Sequence, residues 1–132
     1  MRILLTGGSG LLGTELLKLS NNIVAPTSSE MNIVNKNECR EWILKTKPDV
    51  VLHAAAFTSP PACELHANTA RNVNISGTIN LIDLCETYDI KFVYISTDYV
   101  FDGIDGLYST EDAINPINKY ALTKAAGELA TK

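Results

Sequence analysis

Several protein classes are excluded by what this chain lacks. Its 132 residues hold three cysteines, Cys39, Cys63 and Cys85, an odd number at wide separation with no Cys-x-x-Cys or Cys/His metal spacing. That argues against a disulfide framework and against a metal site, and predicts buried thiols in a reducing cytosol. No apolar run approaches the ~20 residues that cross a membrane as a helix. Met1-Arg2 is followed by only three apolar residues before Thr6-Gly7-Gly8, too few for a signal-peptide core. There is no charge block, internal repeat or low-complexity stretch. A net charge of −4 and a pI near 5.1 argue against general affinity for nucleic acid or an anionic membrane. What remains is a cytoplasmic protein of ordinary globular composition, 45% apolar and 20% charged, whose length suits one domain over residues 1–132.

Strand and helix patterns alternate from the start. Short apolar runs predict strands over Arg2–Thr6, Ile23–Ala25, Asp49–His53 and Lys91–Ser96. Apolar residues at helical spacing predict helices over Leu11–Leu19, with one side packed, and over Asn35–Thr46, with Asn35 as N-cap. A long helix is expected over Glu64–Tyr88, interrupted at Gly77, and a last one opened by Pro116 as a first-turn proline. Strands separated by helices imply right-handed βαβ crossovers and an α/β, Rossmann-like, doubly wound parallel sheet. About four strands are present, so the sheet is incomplete, and the expected order is 3-2-1-4.

Between the first strand and first helix stands Thr6-Gly7-Gly8-Ser9-Gly10-Leu11-Leu12-Gly13. It reads as Gly-x-Gly-x-x-Gly from Gly8 and as Gly-x-x-Gly-x-x-Gly from Gly7. Early glycines permit a tight turn, Gly10 lets backbone approach a pyrophosphate, and Gly13 allows helix and strand to pack closely. The helix N-terminus then offers free N–H groups to the phosphates. The strand–glycines–helix context supports dinucleotide binding over a plain glycine turn. No Gly-Lys-Ser/Thr follows, so it is not an ATPase-type loop. An acid at the end of the second strand would bond the adenosine ribose 2′-hydroxyl, and an arginine would hold a 2′-phosphate. Here the segment is Pro26-Thr27-Ser28-Ser29. A missing carboxylate and hydroxyls able to donate tilt the choice slightly to NADP(H), with NAD(H) open.

Tyr120 and Lys124 stand four apart on the predicted last helix and so share a face. A fixed positive charge beside a phenol favours the phenolate, which suits proton transfer in interconverting an alcohol and a ketone. Tyr94-Ile95-Ser96-Thr97-Asp98-Tyr99-Val100-Phe101 leaves the fourth strand at its carboxyl end, where ligands sit in open α/β sheets. A hydroxyl there can hold a substrate carbonyl.

With these residues in hand the chain resembles the extended short-chain dehydrogenases, and among them most the dTDP-4-dehydrorhamnose reductases. The matching pieces are Gly7 to Gly13, Pro48-Asp-Val-Val-Leu-His-Ala-Ala-Ala-Phe-Thr58, Val73-Asn-Ile-Ser-Gly-Thr78, Ser96-Thr-Asp-Tyr-Val-Phe-Asp-Gly103 and Pro116 to Lys124, in the family's order. The resemblance implies that NAD(P)H reduces the C4 ketone of a dTDP-linked 6-deoxy-4-keto-hexose. It implies that Tyr120 donates the proton, Thr97 bonds the substrate oxygen, Asp98 touches substrate, and Lys124 assists Tyr120 and binds the nicotinamide ribose. It also places Gly7, Gly10, Leu11, Leu12, Gly13, Asn32, Ile33, Ala54, Ala55, Ala56 and Asn74 on the cofactor, together with Tyr120 and Lys124, and Asn32 stands where the family has an aspartate near the adenine.

Several of these residues also suit plainer roles. Asn74 and Asp98 serve equally as ordinary polar residues, His53 as a hydrogen-bonded core histidine, His66 as a surface residue and Trp42 as core. Asp102, Asp105, Glu111 and Asp112 read as a solvated loop rather than a cation site. Pro60-Pro61 replaces the family's Val-Asp pair. Family members are considerably longer, so the expectation is a fragment lacking the substrate-binding region, or a fourth strand paired by a second copy in a homodimer. Two other functions remain open. One is a non-catalytic nucleotide-binding subunit like the regulatory subunit of methionine adenosyltransferase, which shares the Ser-x-Asp-Tyr-Val-Phe-Asp-Gly run. The other is a nucleotide-sugar epimerase or dehydratase.

Overall fold

Ile3–Thr6 forms strand β1 inside a four-stranded parallel sheet in a computed structural model that describes residues 1–132. The chain continues through α1 (Leu11–Leu19), β2 (Ile23–Val24), α2 (Lys36–Thr46), β3 (Val50–His53), α3 (Pro60–Leu65) and α4 (Ala67–Arg71). A π-helical turn over Asn72–Gly77 leads into α5 (Thr78–Thr87), then β4 (Lys91–Tyr94), a 3₁₀ turn (Asp98–Val100) and α6 (Lys119–Ala130). The α/β class and parallel sheet are as expected, but the order is β2-β1-β3-β4, not 3-2-1-4. The register runs Ile3 beside Val50 to Thr6 beside His53, then Val50 beside Lys91 to His53 beside Tyr94.

The reason lies in burial. Val51 and His53 are fully buried on one face of β3, Val50 and Leu52 are half-buried on the other, and a parallel strand covered in this way belongs inside the sheet. Strand β2 is only two residues long and Val24 is exposed, which suits an edge. No strand follows to pair outside it, because Thr27 to Asn35 closes into turns: Glu30 and Met31 N–H both donate to Thr27 O, and Asn35 N–H to Asn32 O.

The main core lies on one face of the sheet. Leu4 and Val51 pack there with Met31, Ile33, Cys39, Ile43, Leu81, Leu84 and Cys85. All three cysteines are buried free thiols, and burial pushes Cys39 up to about 11 and Cys85 to about 12. Trp42 packs on the edge of this cluster, its indole donating to Glu30 O at 3.0 Å. Helix α1 departs from the expected one-sided burial: only Gly13 is buried, and Leu11 is 94% exposed. Right-handed crossovers place α1 on the face opposite α2 and α5, so it lies apart from the helices that build the core. No helix is long and apolar enough to cross a membrane.

Two helix boundaries also differ. The expected long helix starts earlier, at Pro60, because Ser59 Oγ accepts from Ala62 N–H and prolines suit a first turn. It breaks at His66, an exposed residue out of helical conformation, and the chain resumes through the π turn that ends at Gly77. Pro116 lies outside α6: Asn118 is the N-cap, its Oδ1 accepting from Ala121 N–H at 2.8 Å. Asn35 caps α2 as expected, accepting from Asn37 and Glu38 N–H.

Candidate functional site

Gly7 turns the chain out of β1 with φ +78°, and Gly10 N–H donates to Gly7 O at 3.0 Å. A Cβ on Gly7 would lie 2.7 Å from the backbone of Ala54 and Ala55, so only glycine lets β1 and β3 emerge side by side here. Gly13 is equally confined, with a hypothetical Cβ 2.2 Å from Gly7 O, so this third glycine packs against the turn rather than against the strand. Above the turn opens a cleft of about 600 Å³. Gly7, Gly10, Leu11, Leu12 and Gly13 form its floor; Asn32 and Ile33 one wall; Ala54, Ala55 and Ala56 the other. Ten expected cofactor residues are thus brought together. Pro26, Thr27 and Ser28 line the far end, and Ile95 closes the end nearest β4.

Asn74, Tyr120, Lys124, Thr97 and Asp98 stand outside that lining. Asn74 is buried behind it: its Oδ1 accepts from Phe57 N–H at 2.7 Å, and its amide donates to Phe57 O and to Thr123 Oγ1. Thr123 in turn donates to Tyr120 O at 2.8 Å, so Asn74 ties the loop after β3 to α6. Helix α6 buries one face, holding Tyr120, Thr123, Lys124 and Gly127. Tyr120 meets Tyr99 edge-on with ring centroids 5.6 Å apart, and its hydroxyl makes no protein hydrogen bond and stays open to solvent. Lys124 Nζ donates to Ile95 O at 2.7 Å and sits 4.1 Å from the centre of the Tyr94 ring. Burial brings Lys124 down to about 8. Thr97 caps the 3₁₀ turn, accepting from Tyr99 N–H, and Asp98 is exposed beside it.

Three features were missed by motif reading. The first is Tyr94, whose hydroxyl donates to Lys124 O at 3.1 Å and leaves no room for a side chain at Gly127. The second is the reach of His53. Thr78 Oγ1 donates to Asn74 O, so it accepts from His53 Nε2–H; Nδ1 then accepts from Thr6 Oγ1, which also accepts from Ala55 N–H. The chain of bonds holds the cleft wall and needs a neutral imidazole. The third is Glu30, whose carboxylate accepts from both the N–H and the hydroxyl of Thr27 at 2.8 Å each. Thr27-x-x-Glu30 has capping-box spacing, a signal legible in the sequence. In the acidic loop, Asp102 accepts from Tyr108 OH, Ile104 N–H and Asn115, bonds that hold its carboxyl down to about 2.

The histidine carries a pH prediction. Burial, with a smaller contribution from Lys124, lowers His53 from its ordinary 6.5 to about 3. Between those values the unfolded chain binds a proton that the folded chain does not, so stability rises with pH there. Its share is complete above about 6.5 and falls by up to about 1.4 kcal/mol per pH unit on acidification. Denaturant midpoints measured from pH 7 to 4 should show this slope, and His53→Gln should flatten it; equal slopes in the two proteins would refute a neutral buried imidazole.

A model of the family described as "RmlD substrate binding domain" matches residues 1–132. The dTDP-4-dehydrorhamnose reductase of Aggregatibacter actinomycetemcomitans is 38% identical over 133 residues, covering 96% of this chain and 45% of the relative. The methionine adenosyltransferase 2 subunit beta of Bos taurus is 35% identical over 140 residues, covering 98% of this chain and 42% of the relative. Among solved structures, the dTDP-4-dehydrorhamnose reductase of Bacillus anthracis in complex with NADP superposes with a TM-score of 0.92 at 30% identity, over 98% of this chain and 48% of that one. The chain spans less than half the length of these relatives.

Proposed function

The chain belongs to the RmlD substrate binding domain family, and on that premise we propose that residues 1–132 form the dinucleotide-binding domain of an extended short-chain reductase. Its reaction is reduction of the C4 ketone of a dTDP-4-keto-6-deoxy sugar. The observation that carries this reading is convergence: the glycine-floored cleft ends at Ile95, whose carbonyl holds the Lys124 ammonium one helical turn from Tyr120.

The cleft fits a dinucleotide by its own chemistry. Its floor is bare backbone where Gly7 and Gly13 exclude any Cβ, and the first turn of α1 presents N–H groups to phosphate. Gly7, Gly10, Leu11, Leu12 and Gly13 cradle the pyrophosphate, Asn32 and Ile33 flank the adenine, and Ala54, Ala55 and Ala56 give the passage its low wall. When bound, NADH or NADPH supplies the hydride. The phenol of Tyr120 supplies the proton to the ketone oxygen, which Thr97 positions, while Asp98 faces the sugar. Lys124, anchored on Ile95 O, keeps a positive charge beside that proton transfer and reaches the nicotinamide ribose. Asn74 fixes the loop after β3 to α6, which keeps the cofactor wall and the proton donor in one frame.

Calorimetric titration of the chain with NADH and NADPH tests the binding step, and oxidation of the reduced dinucleotide by a dTDP-4-keto-6-deoxy sugar, assayed in the whole reductase that carries this domain, tests the reaction. Binding of at least one dinucleotide with formation of the C4 alcohol is expected. Failure of both dinucleotides to bind sinks the reading, and binding without reduction by the whole protein confines it to a nucleotide-binding role.

A further inference from the structure

The loop after β2 bears on which dinucleotide is preferred, and it is occupied differently from what its composition suggests. Pro26-Thr27-Ser28-Ser29 carries no acid and no base, yet the carboxylate of Glu30 folds back beneath it. We propose that the Thr27–Glu30 pair selects NAD(H) over NADP(H), with Thr27 as the group met by the adenosine ribose and Glu30 as the charge that rejects a 2′-phosphate. This rests on the dinucleotide reading given above.

The proton of one hydroxyl decides the preference. Thr27 Oγ1 lies at the far end of the cleft and donates to Glu30 Oε2 at 2.8 Å. A threonine hydroxyl has one proton and two lone pairs. With the proton committed to Glu30, the oxygen meets a ligand only as an acceptor. A ribose 2′-hydroxyl donates and is satisfied; a phosphate oxygen has no proton to give at neutral pH and meets a lone pair. Ser29 Oγ, 3.0 Å from Thr27 Oγ1, is tied into the same set.

Charge adds to this. The Thr27 N–H and hydroxyl hold the Glu30 carboxyl below its ordinary range, so it is ionised at neutral pH. Any phosphate within bonding distance of Thr27 lies one further hydrogen-bond length from that carboxylate, and both are negative. No arginine or lysine occurs from Pro26 to Val34 to offset the repulsion. Lys45, the one cation that acts on Glu30, has its ammonium over the Trp42 ring at 4.4 Å. The arrangement reproduces, through a threonine, what an acid at the end of the second strand does directly. It reverses the slight tilt to NADP(H) taken from composition, because the hydroxyl expected to donate to a phosphate is already donating elsewhere.

The test is paired titration of the chain with NADH and NADPH, in wild type, Glu30→Gln and Thr27→Val. Wild type should bind NADH more tightly, by about tenfold at low salt, and the gap should shrink as ionic strength rises. Glu30→Gln keeps the shape and loses the charge, so NADPH affinity should rise until the gap closes. Thr27→Val should weaken NADH and leave NADPH nearly unchanged. Glu30 is exposed, and thermal unfolding of each variant verifies that the fold persists. Equal affinities in wild type, tighter NADPH, or a ratio unmoved by Glu30→Gln with both dinucleotides bound overturns this inference alone. Absence of binding by either dinucleotide overturns it together with the function proposed above.

Discussion

Replacing Tyr120 with phenylalanine is expected to cut sugar reduction by about 10²–10⁴-fold, the range that a positioned proton donor contributes. The substitution removes one oxygen and nothing else. The ring stays buried against Tyr99 and beside Cys63, Ala70 and Phe57, and the lost hydroxyl has no protein partner that would be orphaned. Stability should therefore hold within about 0.5 kcal/mol, as for substitutions that disturb neither packing nor buried polar groups. Dinucleotide affinity should hold as well, since the ring lies outside the lining of the cleft. Steady-state turnover, a melting curve and a binding isotherm on one preparation separate these effects. Unchanged turnover would remove Tyr120 from the chemistry; lost binding would move it into the cofactor site instead.

Gly13→Ala should be the most damaging single-methyl change in the cleft, and its sign discriminates between two effects. Helix propensity favours alanine over glycine by about 1 kcal/mol inside a helix, and Gly13 lies in the first turn of α1. Against that, the added carbon would sit 2.2 Å from Gly7 O and 2.6 Å from Gly8 Cα. Those neighbours are backbone of the phosphate-facing turn, so no rotamer change relieves the clash. Overpacking typically costs about 1–3 kcal/mol, which outweighs the propensity gain. Where the displacement falls on the binding-competent turn, it corresponds to about 5–150-fold in affinity. Thermal unfolding and dinucleotide titration should both move in the damaging direction. A variant that is more stable and binds as well as the wild type would show that the turn does not have the geometry described.

Much of this molecule was legible as a string of residues, and particular elements show why. Helix α1 begins and ends where its apolar spacing predicts, Asn35 caps α2, and the glycine turn stands between strand and helix. These are local matters: a cap, a period and a positive φ are decided within a few residues. The grouping of glycines and alanines around one cleft follows from their places at strand ends in a parallel sheet. Boundaries failed where two local signals competed, as when Asn118 rather than Pro116 opened α6, and when Ser59 with two prolines began α3 before the apolar pattern did.

Only packing could decide the rest. The strand order turned on which strands the helices cover, and that depends on how every helix packs. The bonds from Ala55 through Thr6 and His53 to Thr78 join residues 25 to 49 apart in the chain, and no spacing rule pairs them. Lys124 found the Ile95 carbonyl and the Tyr94 ring because α6 lies on the end of β4. A run of amino acids states which groups are present and which near neighbours can bond. Which distant groups share a buried space, and so which protons are already committed, is settled by burial of apolar surface over the whole chain.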